Sequence, residues 1–176
     1  MANREALREL QQRLAERMQA AKREQRGQSW LAVECRGQGL LLPLEQAGEI
    51  FPPAALMPVP HTRTWFAGVA NLRGGLHGVV DLARFLGLPE VPAGEAGREQ
   101  SRLVAFSHGL GLNCALLVDR LAGLRSAEQL NKADDGDDTA RPAFAPTRWL
   151  DAAGRSWQSL DLAALARDEQ FLSIVA

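Results

Sequence analysis

The chain has 176 residues, enough for one domain with its own core and no need of disulfides or a structural metal. Hydrophobic residues make up 46%, which excludes disorder by composition, and a net charge of −1 gives no global pull toward nucleic acid or an anionic membrane. Cys35 and Cys114 each sit inside an apolar stretch and read as small buried hydrophobes rather than a disulfide framework. No apolar run approaches the ~20 residues of a membrane span, and the charged N-terminus is unlike a secretory signal, so a cytoplasmic location is expected.

Residues 3–26 read as an amphipathic helix. Leu7, Leu10, Leu14, Met18 and Ala21 recur at spacings of three and four, with Arg and Glu on the other faces. The stripe is narrow, and suits either a partner helix or docking on its own domain. Acids interspersed among the bases, and the lack of an aromatic on the apolar face, speak against a membrane-surface helix.

After Gly27 the period changes to two. Leu31, Val33 and Cys35 alternate with Ala32, Glu34 and Arg36, as in a half-buried strand, and Gly37-Gln38-Gly39 turns the chain into a returning strand at residues 40–44. Pro52, Pro53, Pro58 and Pro60 break the next segment into extended pieces. Residues 69–72 and 76–80 form two short strands around Arg73-Gly74-Gly75, followed by a short helix with Asp81 at its N-cap and Gly87 at its end. The Pro- and Gly-bearing stretch 87–100 is a loop and the expected seam between two subdomains. Strands follow at residues 103–107 and 112–118, and Ser126 with Gln129 forms a capping box. Residues 131–141 are acidic and small. A last hairpin at residues 148–150 and 156–160 leads into a helix from Asp161, and residues 171–175 form a terminal strand or packed tail. The unit Val79-Val80-Asp81-Leu82-Ala83 returns as Ser159-Leu160-Asp161-Leu162-Ala163, which predicts two similar subdomains. Many short strands with Gly and Pro turns suit small barrels, so the expected class is mainly β.

Catalytic motifs are missing. His61, His77 and His108 fall in no metal-binding or nucleophile–base pattern, and there is no phosphate loop or nucleophile elbow. The run Asp134-Asp135-Gly136-Asp137-Asp138 fails as a calcium loop, because with Gly136 central the third position is Ala133 and the last is Pro142. Asp81, Asp119 and Asp161 each follow a strand, where capping and turn roles account for them. Trp30, Trp65, Trp149 and Trp157 are not interleaved with basic residues, so a nucleic-acid strip is not evident.

The stretch Met57-Pro58-Val59-Pro60, then Trp65 to Gly74 with its Gly-Val-Ala-Asn-Leu-Arg-Gly block, then Val79-Val80-Asp81-Leu82, closely resembles CheW-like domains, the coupling proteins of bacterial chemosensory arrays. Residues 115–119, 124–130 and the strand leading to Asp161-Leu162 fit more loosely, and the resemblance covers about residues 29–168. It implies two packed five-stranded SH3-like barrels over residues 29–176, with residues 1–28 as a helical extension. It further implies a non-enzymatic adaptor without metal or cofactor. Its implied partners are the regulatory domain of a CheA-type histidine kinase and the cytoplasmic tip of a methyl-accepting chemoreceptor, with no nucleic acid and no membrane insertion. The partner-binding residues carried over are Asn71, Leu72, Arg73 and Gly74 of the signature turn, with Val80 and Asp81. For Arg73 two roles are open, contact with a partner or an internal salt bridge that props the turn. Departures from the family pattern, among them the long N-terminus, Asn113-Cys114 and Leu150-Asp151-Ala152, place the chain on a divergent branch. The overall look is most similar to adaptors of pilus-type, twitching-motility systems. An auxiliary or inhibitory CheW-like protein is the alternative, and a small hydrolase or nucleic-acid-binding barrel is the alternative from another class.

Overall fold

A computed structural model describes residues 27–90, 99–134 and 141–176, together with Arg13 and Glu16. The expected helix over residues 3–26 and most of the acidic run at 131–141 lie outside the described residues.

Among the described residues eleven strands form two sheets. The six-stranded sheet holds β1 (Ser29–Cys35), β2 (Gln38–Pro43), β8 (Arg120–Ser126), β9 (Leu130–Lys132), β10 (Arg148–Asp151) and β11 (Ser156–Ser159), in the order β8-β1-β2-β11-β10-β9. The five-stranded sheet holds β3 (Ala47–Phe51), β4 (Phe66–Leu72), β5 (Gly75–Asp81), β6 (Arg102–Phe106) and β7 (Cys114–Val118), in the order β3-β6-β7-β5-β4. Short helices α1 (Leu82–Phe85), α2 (Leu162–Leu165) and α3 (Glu169–Leu172) follow the strands.

Both sheets curl. In the larger one, β8 and β9 are the two ends of the order, yet only the 3-10 turn Ala127–Gln129 joins them. Three residues hold the flanking Cα atoms within about 14 Å, whereas five strand spacings laid flat would need about 24 Å. In the smaller sheet, β3 pairs with β6 while Met57, a few residues on, bridges Val69 of β4, so one extended run touches both edges. Curling removes exposed strand edges.

The two sheets are built alike. Each has an antiparallel hairpin (β6–β7, β1–β2), flanked on one side by a single strand (β3, β8) and on the other, in parallel, by a strand that leads into a capping aspartate (β5, β11). The Oδ1 of Asp81 accepts the Arg84 backbone N–H at 3.0 Å, and the Oδ1 of Asp161 accepts that of Ala164 at 3.0 Å. The internal echo is thus a structural duplication. The expected five-and-five arrangement becomes six and five because β9 is a full strand, where its counterpart is the single Met57 bridge.

The seam expected at 87–100 lies elsewhere. Strands on both sides of that stretch, β3–β5 and β6–β7, belong to one sheet. The chain passes between sheets at residues 44–46 and at Asp119, so the first hairpin completes the barrel formed by the C-terminal strands. Strands β3 and β8 escaped the sequence reading because their mostly exposed or half-exposed residues lack apolar alternation.

Side-chain alternation explains the core. Leu31, Val33 and Cys35 of β1 join Leu40, Leu42, Val104, Phe106, Leu116 and Val118 in the large core between the barrels. The intervening Trp30 and Ala32 face the six-stranded barrel with Leu41 and Trp157. Val79, Leu103, Ala105 and Ala115 fill the five-stranded one. β1 is therefore buried on both faces, not half-buried as its alternation implied, because Ala32 and Glu34 are also covered. Both cysteine thiols are buried, and burial pushes each up to about 12, so they act as apolar fillers.

Phe171, on α3, plugs the central core. It stacks on Trp65 and Phe106, with ring centroids 6.2 and 5.9 Å away, and meets Phe85 edge-on at 5.1 Å. The residues beyond it run alongside residues 61–63 through the Thr62–Val175 bridge, so the expected tail is a helical turn followed by a short pairing. Phe171→Ala should destabilise by about 3–5 kcal/mol, read by chemical denaturation, because the three aromatic neighbours cannot collapse into the gap.

Glu34 is the buried charge. Its carboxylate lies 2.7 Å from both the Arg120 and the Arg155 guanidinium. Burial pushes its pKa up, but the two guanidiniums outweigh burial and hold it below the usual glutamate value. The folded pKa is below the unfolded one, so this stabilisation is present above the ordinary glutamate range and is lost as pH falls through the lowered value. Thermal melts of Glu34→Gln should accordingly lose less stability than wild type as pH drops below about 4.3. An unchanged acid slope would place the linkage elsewhere.

Candidate partner-binding surface

The signature block occupies the β4–β5 hairpin. Leu72 pairs with Gly75, leaving Arg73 and Gly74 as the two turn residues, with φ of 50° and 83°. Two consecutive positive φ values make the primed turn that matches strand twist, and Gly74 meets that demand without strain. Asn71 secures it, its Oδ1 accepting the Gly74 N–H at 2.8 Å. At the other end of β4, Gly68 adopts a φ of 129°, and a Cβ there would run into the Met57 carbonyl oxygen. The first glycine of the block thus admits the backbone that closes the barrel.

Arg73 projects from the turn with its side chain 76% exposed, and its guanidinium lies 2.9 Å from the Glu49 carboxylate on β3. Sequence reasoning missed Glu49, which no local pattern ties to the hairpin. The pair favours the propping role in geometry, but both groups face water and such a pair contributes at most about 1 kcal/mol. Exposed apolar side chains lie on the same strands, Leu76 opposite Asn71 and Ile50 next to Glu49, and Met57 stands exposed at its bridge to β4.

The six expected site residues do not form one surface. Asn71, Arg73 and Gly74 share the exposed tip, but Leu72 is buried in the five-stranded barrel and Val80 in the central core. Both are core because their positions on the pleat face inward. Asp81 sits at the far end of β5, where it caps α1 and lies 3.5 Å from Arg84. Among the described residues no group of His, Cys, Asp and Glu is arranged to hold a metal ion. Nor is any helix among them long and apolar enough to cross a membrane.

A duplicated pair of small curled sheets with an exposed hairpin defines a mainly β, two-barrel domain. Residues 29–170 match the CheW-like domain, and the chain belongs to that family. It is 33% identical over 100 residues to Protein PilI of Pseudomonas aeruginosa; the match covers 56% of this chain and 53% of that protein, so the chain spans about half the length of the curated relative it matches. The fold is similar to that of the scaffolding protein TtCheW from Thermoanaerobacter tengcongensis, with a TM-score of 0.62 at 15% identity over 76% of this chain and 88% of that one.

Because the ion pair is exposed, Arg73→Glu should cost no more than about 1 kcal/mol of stability. The exchanged pair, Arg73→Glu with Glu49→Arg, should recover most of that loss in urea denaturation. A loss several times larger would show that the pair props the barrel.

Proposed function

We propose that this chain is a non-enzymatic adaptor that couples the cytoplasmic tip of a methyl-accepting chemoreceptor to the regulatory domain of a CheA-type histidine kinase. The observation that carries this reading is the match of residues 29–170 to the CheW-like domain. The likeness to Protein PilI supports a pilus-type system controlling twitching motility. Coupling of this kind is differential binding: the adaptor holds receptor and kinase in register and makes no covalent bond. Cytoplasmic partners make the cytoplasm its place of work.

The exposed tip suits such a role. A guanidinium on a two-residue turn reaches past the barrel surface, and its planar fork pairs bidentately with a carboxylate or the carbonyls of a helix end. Glu49 holds that fork ready in the free protein. Leu76 supplies apolar area beside it.

Calorimetric titration with the regulatory region of a CheA-type kinase from the same organism should give saturable binding, weakened about tenfold by Arg73→Glu. If the exchanged Arg73→Glu, Glu49→Arg protein regains affinity, the pair acts by shaping the turn; if it stays weak, Arg73 touches the partner. Absence of binding by a folded protein would overturn kinase coupling and favour an auxiliary CheW-like role.

A further inference from the structure

Strand β3 departs from a regular ladder at one point. It pairs with β6 as Ala47 to Phe106, then as Ile50 to Val104 and Phe51 to Leu103. Gly48 and Glu49 therefore stand together opposite the single residue Ala105, which is a β-bulge. The clusters on the two faces agree with this count. Ala47 packs on the central core with Val104 and Phe106, whereas Phe51 packs inside the five-stranded barrel with Leu103 and Ala105. Residues 47 and 51 have the same parity, and an unbulged strand would put both on one face.

The bulge decides where Glu49 goes. In a regular ladder the residue opposite Ala105 shares its face and points into the barrel, among Val79, Leu103 and Ala115. A carboxylate there would be buried without a partner, at a large cost. The extra residue lets Glu49 turn outward, where its side chain is 43% exposed and its carboxylate lies 2.9 Å from the Arg73 guanidinium. Glycine is what the extra position admits. A Cβ on residue 48 would lie 2.7 Å from the Phe106 carbonyl oxygen and 3.1 Å from that of Ala105. Neither carbonyl can retreat, because β6 is paired on its other side with β7 and the Phe106 ring is stacked on Phe171.

We infer that Gly48 is a positioning residue of the hairpin-tip surface: its bulge brings Glu49 out beside Arg73, so that the tip offers a paired acid and base instead of a lone guanidinium. This inference deepens, and rests on, the reading of that tip as a partner-binding surface. A lone guanidinium attracts any carboxylate. One already paired with Glu49 favours a partner that brings both an acid for Arg73 and a cation or N–H donor for Glu49, so the pair selects among acidic surfaces.

The test is a double-mutant cycle, run with and without a partner. In urea denaturation of the chain alone, Arg73→Ala and Glu49→Ala should be coupled in the wild-type background and uncoupled beside Gly48→Ala. In calorimetric titration with the regulatory region of a CheA-type kinase, Glu49→Ala should weaken binding by about threefold, and should change nothing once Gly48→Ala is present. A methyl group that only loosened the barrel would lower the melting temperature yet leave the effect of Glu49→Ala in place, and that result would overturn the inference. Should Gly48→Ala fail to fold, deletion of Gly48 removes the extra residue without the clash and should erase the coupling in the same way. Coupling retained in either variant, or absent from the wild type, would equally overturn it. A folded wild-type chain that does not bind the kinase region would count against the kinase-coupling reading alone, because the urea cycle still decides the role of Gly48.

Discussion

The structure depends on one constraint: the central strands must be covered on both faces. Strands β1, β2, β6 and β7 are apolar at nearly every position, and a pleated strand sends alternate side chains to opposite sides. A single sheet with one solvated face would leave half of those residues in water. Curling each sheet covers the inner set, and packing the two curled sheets together covers the outer set. Among the described residues three apolar clusters result, with the largest between the barrels.

Much else follows from that shared core. Each barrel donates a strand that leads into an aspartate, and the helical turn capped by that aspartate drops Leu82 or Leu162 into the junction. The C-terminal turn adds Phe171 to the same place. Because β1 and β2 lie in the C-terminal barrel and β3 to β7 make the other, neither barrel is a continuous piece of chain. The barrels are interlocked by connectivity as well as by packing. The rigid base leaves the hairpin tip at Arg73 as a surface feature on strands that are fixed from within.

Charge is arranged with the same economy. The buried carboxylate of Glu34 sits on a strand otherwise devoted to the core, and two guanidiniums from β8 and the β10–β11 hairpin reach it. An unpaired carboxylate there would be costly. Its burial ties three strands of the larger barrel at one point. By contrast, the Arg73–Glu49 pair lies in water, where it contributes little to the fold and keeps its groups accessible.

What the sequence by itself determined is what depends on neighbours a few residues apart. The caps at Asp81 and Asp161, the box at Ser126 and Gln129, the turn at Arg73-Gly74 and the late hairpin are all local, set by three- and four-residue spacings and by which residues tolerate positive φ. The duplicated Asp-Leu-Ala unit made the two-subdomain plan legible, and the signature block made the family legible. Only the tertiary structure decided which strands share a sheet, because the apolar faces of β1 and β2 fit either barrel's needs and the choice rests on long-range pairing with β8 and β11. It also decided that Leu72 and Val80 are core, and that Arg73 meets Glu49. Those are encounters between segments far apart along the chain, and they exist only once the strands have closed.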